Sequence, residues 1–298
     1  MTWRHVIPDL VVVGGGVAGC TAGLFAARRG LSTLVLEAQV PGGQVVNLDR
    51  IEDFPGFPEG VAGFDLGPSV QEQAANAGAE FALAEAEAIE REGDGWAVVA
   101  GGEPHTAKAV VVATGARLKS LGVPGEERLY GRGVSHCATC DGPLYRGKTV
   151  AVVGGGSAAL HEALTLTSFA GKVIVLCDKV DAQQVYRDRA AELDVREGVE
   201  VEEVLGDSAV EAVRLRGGET IPVAGLFVYV GVEPNTSLLQ PHVEVPAQVD
   251  AWMRTAARGL LAVGAARADA AGYALTAAAD GALAAVAAER YITTGEWR

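Results

Sequence analysis

Cysteine is scarce in this sequence. Its 298 residues carry four, too few and too scattered for the disulfide framework of a small secreted scaffold. Basic residues are also outnumbered, with 24 Lys and Arg against 38 Asp and Glu and a formal net charge of −14. That balance argues against nucleic acid and anionic membranes as partners, because both are held through clustered Lys and Arg. Long apolar runs are missing too. Met1–Pro8 is short and polar, Leu10–Val13 is too brief for a signal peptide, and the Ala-rich C-terminal stretch is broken by Arg267, Asp269 and Asp280. No segment reads as a targeting peptide or a membrane span. The expectation is a soluble, cytoplasmic protein in a reducing compartment.

Glycine is abundant, and several of the 39 glycines fall between an apolar run and a helical stretch. Nucleotide-binding α/β folds need tight turns at such places. Leu10–Val13 meets a glycine cluster, a helical stretch follows over Ala18–Arg29, and Leu31–Leu36 is a second apolar run. This is a βαβ opening whose continuous apolar strands suit a buried parallel sheet. The pattern recurs about 140 residues later, as Thr149–Val153, glycines 154–156, a helical stretch from Ala158 to Phe169, and Val173–Leu176.

Between the two units, Trp96–Ala100 reads as part of an antiparallel meander and Ala109–Ala113 as a strand ending in Thr114-Gly115. Beyond them, Val199–Val204, Val210–Arg216 and Leu226–Val230 read as a second meander and a closing strand. Leu260–Gly264 reads as a returning strand and Thr276–Tyr291 as a closing helix. Joints fall near Leu118–Pro124 and in the Pro/Asn-rich stretch Glu233–Val245. The fold class is therefore α/β: two Rossmann-like, three-layer ββα dinucleotide-binding domains, the second inserted into the first. Residues 1–117 and 242–298 form the outer domain, and 118–241 the inner one.

Two motifs carry chemistry. Gly14, Gly16 and Gly19 form a G-x-G-x-x-G between strand and helix. Gly14 permits the turn, Gly16 lets a pyrophosphate approach the backbone, and Gly19 allows helix–strand packing. Glu37 ends the second strand, where a carboxylate can bind both hydroxyls of an adenosine ribose. The motif does not by itself separate FAD from NAD. The second motif is Cys137-Ala138-Thr139-Cys140-Asp141-Gly142, just before the second βαβ unit. Two thiols at i and i+3 close a small reversible disulfide, and a turn into a helix lowers a thiol pKa. Zinc is the rival reading, but Cys20 and Cys177 stand alone in apolar runs, and a structural zinc needs four ligands. Asp141 is placed to pass a proton to a leaving thiolate, with helix capping as its alternative role. His136, Cys20 and Cys177 read as packing residues.

These pieces, with Pro41-Gly42-Gly43-Gln44, Phe54-Pro55-Gly56-Phe57-Pro58, Ala113-Thr114-Gly115, Gly154-Gly155-Gly156 and Gly231-Val232-Glu233-Pro234-Asn235, make the chain resemble the bacterial thioredoxin reductase family along nearly its whole length. The resemblance implies FAD bound by the outer domain, a nicotinamide-type inner domain that rotates at the joints, and a homodimer. It implies that Cys140 takes electrons from the flavin, Cys137 attacks a thioredoxin-like disulfide, and Asp141 is the acid–base group. Gly43, Gln44, Thr114 and Gly115 would contact FAD, with Asp53 beside the flavin where the family has Asn. The family's Gly-Asp and Arg-Gln-Ala strings, near the flavin's ribityl–pyrophosphate region, are replaced by Gly264-Ala265 and Gly272-Tyr273-Ala274. Trp297 is read as an exposed terminal aromatic, with flavin stacking as the alternative.

The donor site departs further. Where the family places paired arginines for the 2′-phosphate of NADPH, this chain has Leu176-Cys177-Asp178-Lys179-Val180. A carboxylate repels a phosphate and one Lys offers no bidentate fork, which argues against NADPH. Asp178 stands about 20 residues beyond Gly156, the spacing at which an acid meets the ribose of NAD. That keeps NADH as a candidate, although Ser157-Ala158-Ala159-Leu160-His161-Glu162 departs from the family's Asn-Ser-Ala-x-Glu-Glu. The leading expectation is an enzyme passing electrons through FAD and Cys137–Cys140 to a thioredoxin-like disulfide, with ferredoxin, another flavoprotein or NADH as donor. The alternatives are an oxygen-dependent oxidase of small dithiols and a redox-sensing or scaffold flavoprotein without turnover.

Overall fold

The computed structural model describes residues 7–297; Met1–Val6, most of the N-terminal stretch read above for a targeting signal, lie outside them, as does Arg298. The chain folds into two units: the residues up to Ala116 together with those from Pro234 onwards, and Arg117–Glu233. The two crossings between them are short strands, Ala116–Leu118 and Val232–Pro234, which pair with each other.

In the discontinuous unit five parallel strands lie in the order Leu260–Ala262, Ala109–Val112, Leu10–Val13, Thr33–Glu37, Glu80–Leu83. The central strand is buried on both faces, as parallel strands are when other layers cover the sheet. Leu10 and Val12 pack into one core with the helices Val17–Arg28 and Ala274–Thr294. Val11 and Val13 pack into a second core with the antiparallel meander Ala86–Glu92, Gly95–Ala100, Glu103–Ala107. Each fully buried Val or Leu contributes roughly 1.5–3 kcal/mol relative to exposure, so this four-residue strand is fixed by its two covers rather than by its length.

The continuous unit repeats the plan. Its parallel strands run Asp194–Arg196, Lys172–Leu176, Thr149–Val153, Gly225–Val228, Val134–Ser135. Val150 and Val152 pack against the helix Ser157–Thr167 through Ala159, Leu160, Ala163 and Leu166. Ala151 and Val153 pack against the meander Val201–Leu205, Ala212–Leu215, Thr220–Pro222. Two dinucleotide-type α/β units are therefore present.

Three features differ from the sequence reading. The chain re-enters the first unit at Pro234 rather than at residue 242. Asn235 is bonded there on both sides, its N–H to the Gly115 carbonyl at 2.9 Å and its Nδ2 to the Thr114 carbonyl at 3.0 Å, and Leu239 is buried in the meander-side core. The helix Gly63–Asn76 was not expected, because Gly67 and Pro68 lie inside it. Gly67 has a packing reason: a Cβ there would come within 2.9 Å of the Gly42 Cα. Trp297 is neither exposed nor free to stack, since its ring meets Tyr291 edge-on at 5.1 Å and packs on the helix-side core.

The closing helix carries one buried charge. Asp280, 6% exposed, accepts the Gly264 N–H at 3.0 Å and holds Arg267 in a fork, Nε to Oδ2 at 2.7 Å and the other arm to Oδ1 at 3.2 Å. This pair ties the Gly264 turn to the helix. Asp280→Ala leaves a guanidinium that is 16% exposed without its counter-charge. The expected loss is about 3–5 kcal/mol of stability, read as a lower denaturation midpoint. Asp280→Asn, which keeps an acceptor for Gly264, loses less.

Candidate active site

The first glycine loop is a bare-backbone cradle. Gly14 has φ +104°, and a Cβ at Gly19 would collide with the Gly14 carbonyl oxygen. A Cβ at Gly16 would meet nothing closer than the Gly43 Cα at 3.7 Å. Gly43 faces it because the loop after the second strand folds back, Gly42 N–H donating to the Gly15 carbonyl at 2.8 Å. The helix that starts here is capped by Gly16 with no side-chain hydrogen bond, which leaves its first N–H groups for an anion. Glu37 accepts the Gly15 N–H at 2.6 Å and the Gln39 N–H at 2.8 Å, so its carboxylate is held at the strand end beside the cradle. The cradle fits the pyrophosphate of a dinucleotide such as FAD.

The other residues singled out for the flavin lie in the same unit. Gln44 is exposed in the turn Gly43–Asn47. Thr114 directs its hydroxyl to the Asn235 carbonyl at 2.7 Å, so that group serves the crossing strand; Gly115 follows it with φ +67°. Gly264 is buried beside the first helix, where a Cβ would lie 3.1 Å from that of Ala18. Tyr273 and Ala274 are the N-cap and first residue of the closing helix, and Tyr273 is 44% exposed. Asp53 lies exposed on the loop closed by the Ile51–Val61 bridge.

The second glycine loop follows the same register, and this corrects the reading of Asp178. Gly154 N–H donates to the Leu176 carbonyl at 3.0 Å just as Gly14 N–H donates to that of Leu36 at 2.8 Å. Cys177, not Asp178, therefore stands where Glu37 stands in the first unit. The Cβ positions agree, with Gly15 facing the Glu37 Cβ at 3.1 Å and Gly155 facing the Cys177 Cβ at 3.2 Å. Cys177 is buried, and burial, then Glu197 and Asp178, push its thiol pKa up. Asp178 and Lys179 are exposed one and two residues further on. Glu197 supplies the carboxylate at this strand end, accepting the Val180 N–H at 3.0 Å.

Cys137 and Cys140 are joined in a disulfide across the single helical turn Ala138–Asp141, with their Cα atoms 5.3 Å apart. Cys137 is the N-cap, and the Cys140 N–H points at its sulfur at 3.2 Å. A thiolate at an N-cap is stabilised by such N–H groups. Asp141 accepts a 2.6 Å hydrogen bond from the Ser135 hydroxyl, whose oxygen accepts the Cys137 N–H at 3.1 Å. Ser135, 4% exposed, so ties the acid to the first cysteine. It was missed in the sequence, where a Ser two residues before C-x-x-C carries no signal. His136 is half-buried beside Tyr130, with ring centroids 5.6 Å apart, and burial lowers its pKa. Cys20 is buried with its thiol pushed up to about 12, by burial first and Glu37 second.

Comparison with known proteins fits this arrangement. The pyridine nucleotide-disulphide oxidoreductase family matches residues 8–284. A thioredoxin reductase of Listeria innocua is 40% identical, spanning 98% of this chain and 96% of that protein. One from Treponema pallidum is 37% identical, spanning 96% of this chain and 97% of that protein. The solved structure of Lactococcus lactis thioredoxin reductase superposes with a TM-score of 0.92 at 34% identity, covering 96% of this chain and 99% of that one. The chain therefore belongs to the pyridine nucleotide-disulphide oxidoreductase family, as a thioredoxin-reductase-like, FAD-dependent disulfide oxidoreductase.

Two outcomes check the geometry. After reduction of the folded protein, iodoacetamide at about pH 8 is expected to label Cys137 and Cys140, and to reach Cys20 and Cys177 only on unfolding; mass spectrometry reads the pattern. Ser135→Ala is expected to lower kcat for disulfide reduction about tenfold with little change in KM, and Ser135→Thr to retain most of the activity.

Proposed function

We propose that this enzyme moves electrons from a donor other than NADPH, through FAD and the Cys137–Cys140 disulfide, to the disulfide of a thioredoxin-like protein in the cytoplasm, working as a homodimer. The observation that carries the donor assignment is the end of the strand Lys172–Leu176, where Cys177 stands at the position of Glu37 in the first unit and Asp178 and Glu197 follow. Nothing in that set pairs with a 2′-phosphate in the manner of an arginine fork, and two carboxylates repel one. The buried Cys177 thiol gives a ribose no strong acceptor, so NADH would have to be held by Asp178 or Glu197 instead and is the weaker candidate. An electron-carrying protein, a ferredoxin or another flavoprotein, is the donor class this favours.

FAD belongs in the discontinuous unit, with its pyrophosphate at Gly14, Gly16 and Gly19, its adenosine ribose at Glu37, and Gly43, Gln44, Thr114 and Gly115 along its length. Asp53, Gly264, Tyr273 and Ala274 line the remainder in this reading. When bound, FAD supplies a two-electron carrier. The protein's own residues do the thiol chemistry. Cys137, stabilised as a thiolate by the Cys140 N–H, attacks one sulfur of the partner disulfide and forms a mixed disulfide. Asp141 gives a proton to the partner thiolate that leaves. Cys140 then gives up its thiol proton, attacks the Cys137 sulfur and closes the Cys137–Cys140 bond again, and the second partner thiolate leaves and takes up that proton. The partner gains two electrons and two protons in the cycle.

The test is anaerobic mixing of the holoenzyme with NADPH, NADH and reduced ferredoxin in parallel, following the flavin absorbance. The expected result is bleaching by reduced ferredoxin and none by NADPH on the timescale of turnover. Rapid bleaching by NADPH contradicts the donor assignment. In the same assay, Cys137→Ser and Cys140→Ser are each expected to abolish thioredoxin reduction while the flavin remains reducible.

A further inference from the structure

The redox turn does not hold itself. Ala138–Asp141 is one helical turn, so its first N–H groups have no intrahelical acceptors. Ser135 takes the N–H of Cys137. The N–H of Ala138, a residue with 0% exposure, goes to the Tyr229 hydroxyl at 3.1 Å. Tyr229 in turn donates to Glu162 Oε2 at 3.2 Å, and His161 Nδ1 lies 3.5 Å from the other carboxylate oxygen. Glu162 and Tyr229 are 4% and 8% exposed, so water is in no position to replace either bond.

The direction of this chain follows from chemistry. A carboxylate accepts only, so Glu162 orients the phenol hydrogen towards itself and leaves a phenol lone pair facing the Ala138 N–H. Burial first, then the charge of Glu162, raise the Tyr229 pKa, so the phenol keeps its hydrogen. Tyr229 is fixed at its backbone as well, its N–H donating to the Val153 carbonyl at 2.8 Å. Its own carbonyl fills the place where a side chain on Gly154 would sit. One residue so connects the second glycine loop, the helix Ser157–Thr167 and the first peptide of the redox turn.

We propose that Tyr229 and Glu162 are a positioning pair that pins the Cys137–Ala138 peptide and favours closure of the Cys137–Cys140 disulfide. The proposal rests on the dithiol being the redox centre, as set out above. Pinning keeps the two sulfurs near each other in the open dithiol, so closing the bond orders less of the chain. Without the pin, closure must also immobilise the turn, and the equilibrium moves towards the dithiol.

The test is the equilibrium of the holoenzyme with mixtures of reduced and oxidised dithiothreitol, quenched by alkylation and read by mass. In this exchange the Cys137–Cys140 bond breaks and takes up two electrons and two protons, while dithiothreitol closes its own ring disulfide. Tyr229→Phe and Glu162→Leu are each expected to move the equilibrium constant about tenfold towards the dithiol. The double variant should move it no further than either single one, since both act through one bond. Glu162→Gln, which keeps an oxygen for the Tyr229 hydroxyl, should stay within about twofold of the parent. A merely structural role would lower the denaturation midpoint without moving this constant. An unmoved constant in folded Tyr229→Phe overturns the proposal, as does Glu162→Gln shifting as far as Glu162→Leu. Failure of the underlying reading looks different: the parent disulfide itself would not exchange.

Discussion

A helix of a single turn has donors at its start and almost nothing within itself to receive them, and the Cys137–Cys140 disulfide sits on such a turn. The N–H groups of Cys137 and Ala138 are received by Ser135 and Tyr229 instead, side chains anchored in and just beyond neighbouring strands of one parallel sheet. The sheet therefore sets the geometry of the sulfurs. Its stiffness comes from covers on both faces, a helix on one side and a meander on the other. The same bonds place Asp141: the hydroxyl that receives the Cys137 N–H also holds the carboxylate.

The two units share one scaffold. Both have a glycine loop after a buried strand, a helix with a glycine N-cap and no side-chain cap, and a following strand near whose end a leucine carbonyl, that of Leu36 or Leu176, receives the first glycine N–H. In the first unit the next residue is Glu37, and the returning loop leaves Gly16 and Gly43 facing each other without side chains. In the second the next residue is the buried Cys177, and the acids Asp178 and Glu197 gather at the strand end. Gly14, Gly19, Gly154 and Gly155 persist for packing, since a Cβ at each would collide with a backbone oxygen, whereas a Cβ at Gly16 or Gly156 would collide with nothing. The residues at the two strand ends differ, a carboxylate that accepts the Gly15 N–H in the first unit and a buried thiol in the second.

Much of this was legible in the sequence, for local reasons. The apolar runs Leu10–Val13 and Thr149–Val153 followed by glycine clusters gave the two sheets, and the spacing of Cys137 and Cys140 gave the dithiol. What escaped depended on partners remote in the chain. Tyr229 and Ala138 are 91 residues apart, Tyr229 and Glu162 are 67 apart, and no periodicity links them. Asp280 looked like a charge interrupting an alanine run, whereas it is the buried partner of Arg267. Asp178 was placed by residue spacing, and the hydrogen-bond register of the strand moved the equivalent position to Cys177. The helix Gly63–Asn76 was hidden by its own Gly67 and Pro68, whose use appears only once Gly42 is packed against it.

The account turns on electrons passing between bound FAD and the Cys137–Cys140 pair. Anaerobic titration with dithionite measures this most directly, by counting the reducing equivalents each chain accepts. A chain whose flavin and disulfide are both reducible takes up about twice as many as one with the flavin alone, each being a two-electron couple. The account predicts that ratio between the parent protein and Cys140→Ser, with full reoxidation of the parent by a thioredoxin disulfide. Equal uptake by the two would contradict it.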